Sequence, residues 1–176
     1  LDDLKYLCEP TEYHEKRITV KFICDRGVSH EFVRHRVFSF AQESTRYCNY
    51  SKDKFGNELT FIIPYWTNIP EGQSYWHDGI GYRVGADIQN KDFGYIEKSP
   101  NYFNFLSSLE ESEKCYLRLL NEGWVPQQAR SILPNSLKTE LVMTGTVEQW
   151  KGFFKLRCDK AAHPQARELA IPLKEE

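Results

Sequence analysis

The sequence predicts a fold that combines strands and helices, because patterns typical of both occur along its 176 residues. Over residues 15–24, the apolar side chains of Ile18, Val20 and Phe22 alternate with polar ones, as in a strand that buries one face. A helix is predicted to begin at Pro100, because proline suits the first helical position and an apolar stripe with helical spacing follows it.

The remaining elements are predicted from caps, breakers and apolar runs. Ser29 and Thr146 are good N-cap residues, so each is expected to begin a helix. Proline opens helices and stops strands, because its ring fixes φ and it lacks an N–H group. In chain order these elements are a helix over 30–38, a strand over 59–63, a short helix over 127–133, a strand over 139–144, a helix over 147–160 and a last helix after Pro164.

A single domain is predicted for residues 1–176, because a chain of 20.7 kDa is long enough to bury one hydrophobic core. Its 40% hydrophobic and 14% aromatic residues are typical of a folded globular protein. Residues 65–100 carry glycines and a proline among scattered aromatic residues. This segment is therefore predicted to be a long insertion or loop with limited helix.

Charge and cysteine content limit the classes of partner. A formal net charge of −2 predicts no overall attraction to nucleic acid, so any anion site must be local. No apolar run is long enough to span a bilayer, and the first residues are not those of a signal peptide. The cysteines are widely spaced and lack a C-x-x-C pair, which favours free thiols. A cytoplasmic protein without a membrane or nucleic-acid partner is expected.

The most informative stretch runs over residues 29–47, where arginines alternate with large apolar residues. Arg34, His35 and Arg36 form a basic cluster, and Arg46 follows shortly after. Phenylalanines and valines lie between these residues, which is unusual for a solvated charge run and equally unusual for a plain core helix. Guanidinium groups beside apolar packing suit a partly buried anion site, because the planar fork binds phosphate or carboxylate with two parallel hydrogen bonds.

This stretch resembles a known family. The run Arg34-His35-Arg36, seven further residues and Ser44 are similar to the RHR-x7-S signature of flavin-dependent thymidylate synthases (the ThyX type), and the resemblance extends, with gaps, from about Thr11 to His163. It implies an α+β fold, with a small mixed or antiparallel sheet packed with helices. It also implies a homotetramer whose active sites lie between subunits.

The resemblance implies a set of flavin ligands. It places Arg34, His35 and Arg36 on the flavin dinucleotide FAD, and the charge of the two arginines suits its pyrophosphate. Gln42 stands where many members have glutamate, so a flavin contact through Gln42 is implied. Thr11 matches a flavin-contacting threonine near the N-terminus.

The resemblance also implies that the substrate is the nucleotide dUMP. Ser44 and Arg46 correspond to residues that bind its phosphate, and Arg130 lies in an Ala-Arg-x-x-Leu-Pro run that the family shares. Glu31 stands where some members have glutamine, and Glu43 replaces an apolar residue. The full set of implied substrate ligands is Glu31, Arg34, Glu43, Ser44, Thr45, Arg46, Arg130 and Arg157.

Arg157 is the candidate catalytic residue. It shares one helical face with Trp150, Phe153 and Phe154, because these residues are spaced at i, i+3, i+4 and i+7. An unpaired buried charge is costly, so on sequence alone Arg157 either reaches solvent, pairs with a carboxylate or belongs to a site. The resemblance favours the site: in the family this arginine contacts the uracil ring and promotes ionisation at N3, where a guanidinium stabilises developing negative charge.

Two function classes follow. The resemblance implies reductive methylation of dUMP to dTMP, with 5,10-methylenetetrahydrofolate as carbon donor, NADPH as reductant and FAD as hydride shuttle. No enzyme nucleophile and no metal site are then needed. The alternative is a non-catalytic module that binds the phosphates of a nucleotide or of single-stranded nucleic acid through Arg34, Arg36 and Arg46, with Phe38, Phe40 and Tyr47 as stacking surfaces.

Overall fold

The computed structural model describes residues 12, 15–52, 56, 58–67, 74–77, 82–85, 94–95 and 100–176, and the predicted flavin ligand Thr11 lies outside them. The chain divides into two compact units, one made of Leu1–Ser44 and Asn135–Glu176 and the other of Thr45–Pro134. The single domain predicted from chain length stays a prediction. Small antiparallel sheets and helices make this an α+β protein, as predicted. None of the described helices is both long and apolar enough to cross a membrane.

Strands and helices follow one another in this order along the described residues. They are β1 (Arg17–Asp25), α1 (Arg26–Phe32), β2 (Ser39–Gln42), β3 (Ser74–His77), β4 (Tyr82–Gly85), β5 (Gly94–Tyr95), α2 (Pro100–Asn121), α3 (Pro126–Ala129), β6 (Lys138–Thr146), α4 (Val147–Arg157) and α5 (Pro164–Glu175). Short 3-10 helices at Tyr65–Thr67 and Arg130–Ile132 complete the set.

The first unit is built on a three-stranded antiparallel sheet with β6 in the middle and β1 and β2 on either side. In its register, Val20 and Phe40 both pair with Met143, which is fully buried. Helices α1, α4 and α5 supply most of the remaining core on this face. The buried cluster consists of Phe22, Cys24, Val28, Phe32, Phe38, Leu141, Met143, Trp150, Phe153, Ala166 and Ala170.

The aromatic side chains dominate this core. Phe153 on α4 is fully buried and makes edge contacts with Phe32 on α1, at 5.0 Å between ring centroids, and with Trp150 at 5.3 Å. The indole N–H of Trp150 donates to the backbone oxygen of Ile18, at 3.1 Å. Each fully buried large side chain stabilises the fold by about 1.5–3 kcal/mol, so these contacts fix α4 on the sheet.

Several predicted elements are confirmed. The alternating pattern of the first strand forms β1, and the predicted strand over 139–144 lies within β6. Thr146 caps α4, because its hydroxyl oxygen accepts from the N–H of Gln149 while the Gln149 side chain accepts from the N–H of Thr146. Helix α2 begins at Pro100, and α5 begins at Pro164.

The predicted start of the first helix is wrong. Asp25, and not Ser29, is the N-cap of α1: its carboxylate accepts from the N–H of Val28 at 2.6 Å. Ser29 lies inside the helix, where its hydroxyl donates to the backbone oxygen of Arg26. The helix also ends at Phe32 and does not continue to residue 38. Asp25 is at once the last residue of β1 and the N-cap of α1, and the sequence pattern indicates only the end of the strand.

Three further differences concern strands. Residues 39–42 form β2, which pairs with β6 and was not predicted. A strand of four residues is too short for its alternating pattern to be recognised in the sequence. The predicted strand over 59–63 is only an isolated bridge at Phe61. Within 65–100, the described residues include β3, β4 and β5, paired in that order as an antiparallel sheet, where a loop with limited helix was predicted.

Gly145 on β6 permits a close approach of the Phe38 ring. A Cβ atom at this position would lie 2.5 Å from Cε1 of Phe38 and 2.9 Å from the side-chain oxygen of Gln149. Both neighbours are held in place, since Phe38 meets Trp150 edge to face at 4.8 Å and Gln149 accepts from the N–H of Thr146.

We expect Gly145→Ala to lower the free energy of unfolding by about 1–3 kcal/mol, because an added methyl forces a packed ring to move. Gly152→Ala is the matched control: Gly152 is exposed inside α4, and its Cβ would meet nothing within 4 Å. That control should raise the free energy of unfolding by about 0.5–1 kcal/mol. Urea denaturation of the three proteins measures both changes. Equal stability of Gly145→Ala and the unmodified protein would contradict the packing argument.

Candidate functional site

Arg157, the last residue of α4, is held by three hydrogen bonds to the segment that contains α1. Its side chain is 13% exposed. The Nε–H donates to Nε2 of His35 at 2.8 Å, and Nη1 donates to the Glu31 carboxylate, also at 2.8 Å. Nη2 donates to the backbone oxygen of Glu31 at 2.5 Å. The guanidinium is therefore fixed in position and in orientation.

This arrangement follows from the pattern of α4. Trp150 and Phe153 are buried and Phe154 is partly buried against the core, which confirms the predicted apolar face. Arg157 lies one turn beyond Phe153 on the same face, so it emerges where α1 ends. Phe32, the neighbour of Glu31, packs on Phe153 and brings the carboxylate to the guanidinium.

His35 lies in the turn after α1 with its ring half-buried between phenylalanines. Its ring centroid is 5.0 Å from that of Phe153 and 6.2 Å from that of Phe38. Because Nε2 accepts from Arg157, the proton of the neutral ring is on Nδ1. Burial lowers the pKa of His35, and the charge of Arg157 lowers it further against a smaller opposite effect of Glu31.

Glu31 is the counter-charge of Arg157. The hydrogen bond from Arg157 is the main cause that lowers the pKa of Glu31, whose side chain is 34% exposed. The pairing of Arg157 with a carboxylate, kept open by the sequence, is thus realised. A guanidinium has five N–H donors, of which three are used here. One N–H on each terminal nitrogen has no partner among the described residues and is available to a ligand.

Arg34 and Arg36, on either side of His35, are exposed. The backbone N–H of Arg36 donates to the backbone oxygen of Arg34 at 3.0 Å, which closes a tight turn. Neither guanidinium donates a hydrogen bond to any residue in the described part of the chain. Both therefore retain their full hydrogen-bonding capacity for an anion, as the binding of a diphosphate requires.

Gln42 and Glu43 are engaged inside the first unit. The amide nitrogen of Gln42 donates to the hydroxyls of Ser29, at 2.8 Å, and of Thr139, at 3.4 Å, so a flavin contact through Gln42 would use its carbonyl oxygen. The Glu43 carboxylate lies 3.5 Å from Nζ of Lys138, and its side chain is 18% exposed. Lys138 also pairs with Glu140 at 2.9 Å. Ser44, the last residue of this segment of the first unit, is partly buried.

In the second unit, α3 and the 3-10 helix after it bring side chains to the segment that begins at Thr45. The Nε–H of Arg46 donates to the side-chain oxygen of Gln127 at 3.2 Å, and the guanidinium carbon of Arg46 lies 5.2 Å from the centroid of the Tyr47 ring. Arg130 donates to the hydroxyl of Thr45 at 3.5 Å, the long end of the hydrogen-bond range. The predicted ligands Thr45, Arg46 and Arg130 are thus brought together within this unit.

Gln127 is the residue of this group that the sequence analysis did not single out. It precedes Arg130 by three positions, so both side chains leave neighbouring points of the same helical turn. That spacing was the available signal. The spacing predicts that the side chains of Gln127 and Arg130 lie on the same surface of the protein.

Comparison with known proteins places these residues in a family. A family model, "Thymidylate synthase complementing protein", matches residues 11–176. The flavin-dependent thymidylate synthase of Pyrococcus furiosus is 29% identical over 153 residues, which cover 87% of this chain and 50% of that protein. The enzyme of the same name from Synechocystis sp. is 27% identical over 159 residues, or 88% and 62% of the two chains.

A third relative, the flavin-dependent thymidylate synthase of Geobacter sulfurreducens, is 26% identical over 148 residues and covers 84% of this chain and 50% of its own length. The chain therefore spans about half the length of most of these curated relatives. The family model, in contrast, extends over almost all of the chain, including α1, the arginine cluster and Arg157. The chain belongs to the thymidylate synthase complementing protein family.

Proposed function

We propose that this chain is a flavin-dependent thymidylate synthase that converts dUMP to dTMP with 5,10-methylenetetrahydrofolate, FAD and NADPH. The observation that carries the proposal is the fixed guanidinium of Arg157, with two N–H groups left for a ligand. The names of the relatives support the same reaction class. They do not favour a non-catalytic phosphate-binding module.

Arg34 and Arg36 are the proposed ligands of the flavin diphosphate. Two exposed guanidiniums on one tight turn match two phosphate groups in charge and in hydrogen-bonding geometry. Bound FAD supplies the hydride chemistry, which no side chain of a protein offers by itself. The residues of the chain then bind and orient the reactants. Thr11 and the carbonyl oxygen of Gln42 remain proposed flavin contacts.

Arg157 is the proposed catalytic residue. A pyrimidine that gives up the proton at N3, or that is attacked by a hydride, carries extra negative charge on its ring oxygens. The two available N–H groups of Arg157 stabilise that charge without reorientation, because Glu31 and His35 already fix the guanidinium. The Glu31 carboxylate is engaged by Arg157, so its proposed contact with dUMP would use its remaining acceptor capacity.

Arg46 and Arg130 are the proposed ligands of the nucleotide phosphate, together with Ser44 and Thr45. Arg46 is held by a hydrogen bond to Gln127, and Arg130 by one to Thr45. The two guanidiniums concentrate positive charge in the second unit. Such charge-assisted hydrogen bonds are about twice as strong as neutral ones. Glu43, which pairs with Lys138, is also a proposed ligand of dUMP, as the family resemblance implies. The same resemblance implies a homotetramer with active sites shared between subunits, and this assembly is part of the proposal.

The first prediction concerns Arg157→Ala. The purified protein, supplied with FAD, NADPH, methylenetetrahydrofolate and dUMP, should form dTMP, and Arg157→Ala should lower kcat by about 10²–10³-fold, the usual cost of removing a preorganised donor. Flavin absorbance should remain. Lys155→Ala, which removes an exposed cation of the same helix, is the control and should keep its turnover. Turnover of Arg157→Ala equal to that of the control would exclude Arg157 from the mechanism.

The second prediction concerns the two arginines that flank His35. Arg34→Ala with Arg36→Ala should release the flavin, because the diphosphate loses both of its bidentate partners. Absorbance near the flavin maximum, measured per polypeptide after gel filtration, gives the occupancy. The double control Arg118→Ala with Lys174→Ala removes the same charge at exposed positions. Retention of full occupancy by the first pair would show that the diphosphate binds elsewhere.

A further inference from the structure

Resting on the proposed function, we propose that His35 is a positioning residue for Arg157. In its neutral form it accepts the Nε–H of Arg157 and aims the remaining N–H groups at the nucleotide, and protonation of its ring breaks this contact. The role differs from the flavin contact that the family resemblance implies for His35. It would make turnover sensitive to pH through a residue that does not itself react.

His35 contacts a nitrogen of the Arg157 guanidinium that Glu31 does not contact. The 2.8 Å bond between Nε of Arg157 and Nε2 of His35 is short for two nitrogens, and it defines which edge of the guanidinium faces the protein. Without it, the two bonds to Glu31 would remain, and both involve the terminal nitrogens. The guanidinium could then pivot about Glu31. His35 therefore supplies the third point that fixes its direction.

The His35 ring is itself held in place. Phe153 and Phe38 pack against it, and its backbone bonds close the turn on both sides. The N–H of His35 donates to the backbone oxygen of Phe32 at 3.0 Å, and the N–H of Phe38 donates to the backbone oxygen of His35 at 3.1 Å. A ring with packed faces and a fixed backbone cannot turn to offer its other nitrogen at low cost.

Protonation of the His35 ring removes this contact. A protonated imidazole has N–H groups on both nitrogens, so its Nε2 can no longer accept from Arg157. The charged groups around the ring are Arg157 from α4 and Glu31 from α1, with Arg34 and His163 acting on Glu31. Burial and the Arg157 charge lower the pKa of His35 below its ordinary value of 6.5. The accepting form therefore predominates at neutral pH and is lost on acidification.

The same shift has a consequence for stability. His35 binds a proton more readily in the unfolded chain than in the folded one, because its pKa is lower in the folded state. Its contribution to the free energy of unfolding is therefore complete above the ordinary pKa of 6.5 and is lost as the pH falls through the folded-state pKa. Glu31, whose pKa is also lowered, contributes fully above the ordinary carboxyl value of 4.5, and its contribution is lost at more acidic pH than that of His35.

The decisive experiment compares His35→Leu with His35→Gln. Leucine keeps the apolar contacts but offers no acceptor, so kcat should fall by about 10- to 100-fold at neutral pH, the usual effect of a displaced catalytic group. Flavin occupancy and the KM for dUMP should change little. Glutamine offers a side-chain oxygen that does not titrate, so it should restore much of kcat and remove the loss of turnover below pH 6.5.

His30→Gln is the matched control. His30 is exposed on α1, next to Glu31, and has no part in the proposed site. Its pH profile should match that of the unmodified protein. Loss of flavin from His35→Leu would instead support a direct flavin contact and overturn the positioning role. The proposal is equally overturned if His35→Gln keeps the acidic loss of turnover.

A second measurement tests the contact without any turnover. In ¹⁵N spectra of histidine-labelled protein, Nε2 of His35 should be unprotonated above pH 7, and Arg157→Ala should raise the pKa of His35 by removing a nearby positive charge. An unchanged pKa would overturn the contact. If no dTMP is formed but the spectra behave as expected, the synthase proposal fails while the His35–Arg157 contact stands, so the two failures are distinguishable.

Discussion

The burial of Phe153 is the contact on which the rest of the first unit depends. Its ring meets Phe22 of β1, Phe32 of α1 and Trp150 of its own helix, and it is fully buried. This one side chain connects the sheet to two helices. It also holds α4 against the core, and with it the last turn that carries Arg157. The candidate catalytic group is thus located by hydrophobic packing and oriented by hydrogen bonds.

Most of this arrangement could be predicted from local sequence. The alternation of β1, the cap at Thr146 and the apolar face of α4 each depend on neighbours within a few residues, so pattern and propensity suffice. They also indicated that Arg157 follows an aromatic face. The partners of Arg157 could not be predicted, because Glu31 and His35 are more than 120 positions away and reach it only through tertiary packing.

The errors have two physical origins. β2 exists because β6 offers it a hydrogen-bonding edge, and its own four residues contain little signal. Asp25 ends β1 and caps α1 at once, and sequence patterns assign one role to one residue. Gln127 gains its importance from Arg46, with which it shares no local pattern. β2 and Gln127 are each decided by a partner distant in sequence, which a window of neighbouring residues does not contain.

Gly145, in the middle strand of the sheet, has no side chain, and this affects the position of Arg157 through Phe38 and His35. The Phe38 ring occupies the space in front of this glycine, and the backbone of Phe38 closes the turn that holds His35. Any larger residue at 145 would displace the ring, then the turn, then the imidazole. A change at a residue that touches no reactant would therefore disturb the proposed catalytic arginine in a protein that still folds, and a survey of tolerated substitutions would group this interior glycine with the proposed site residues.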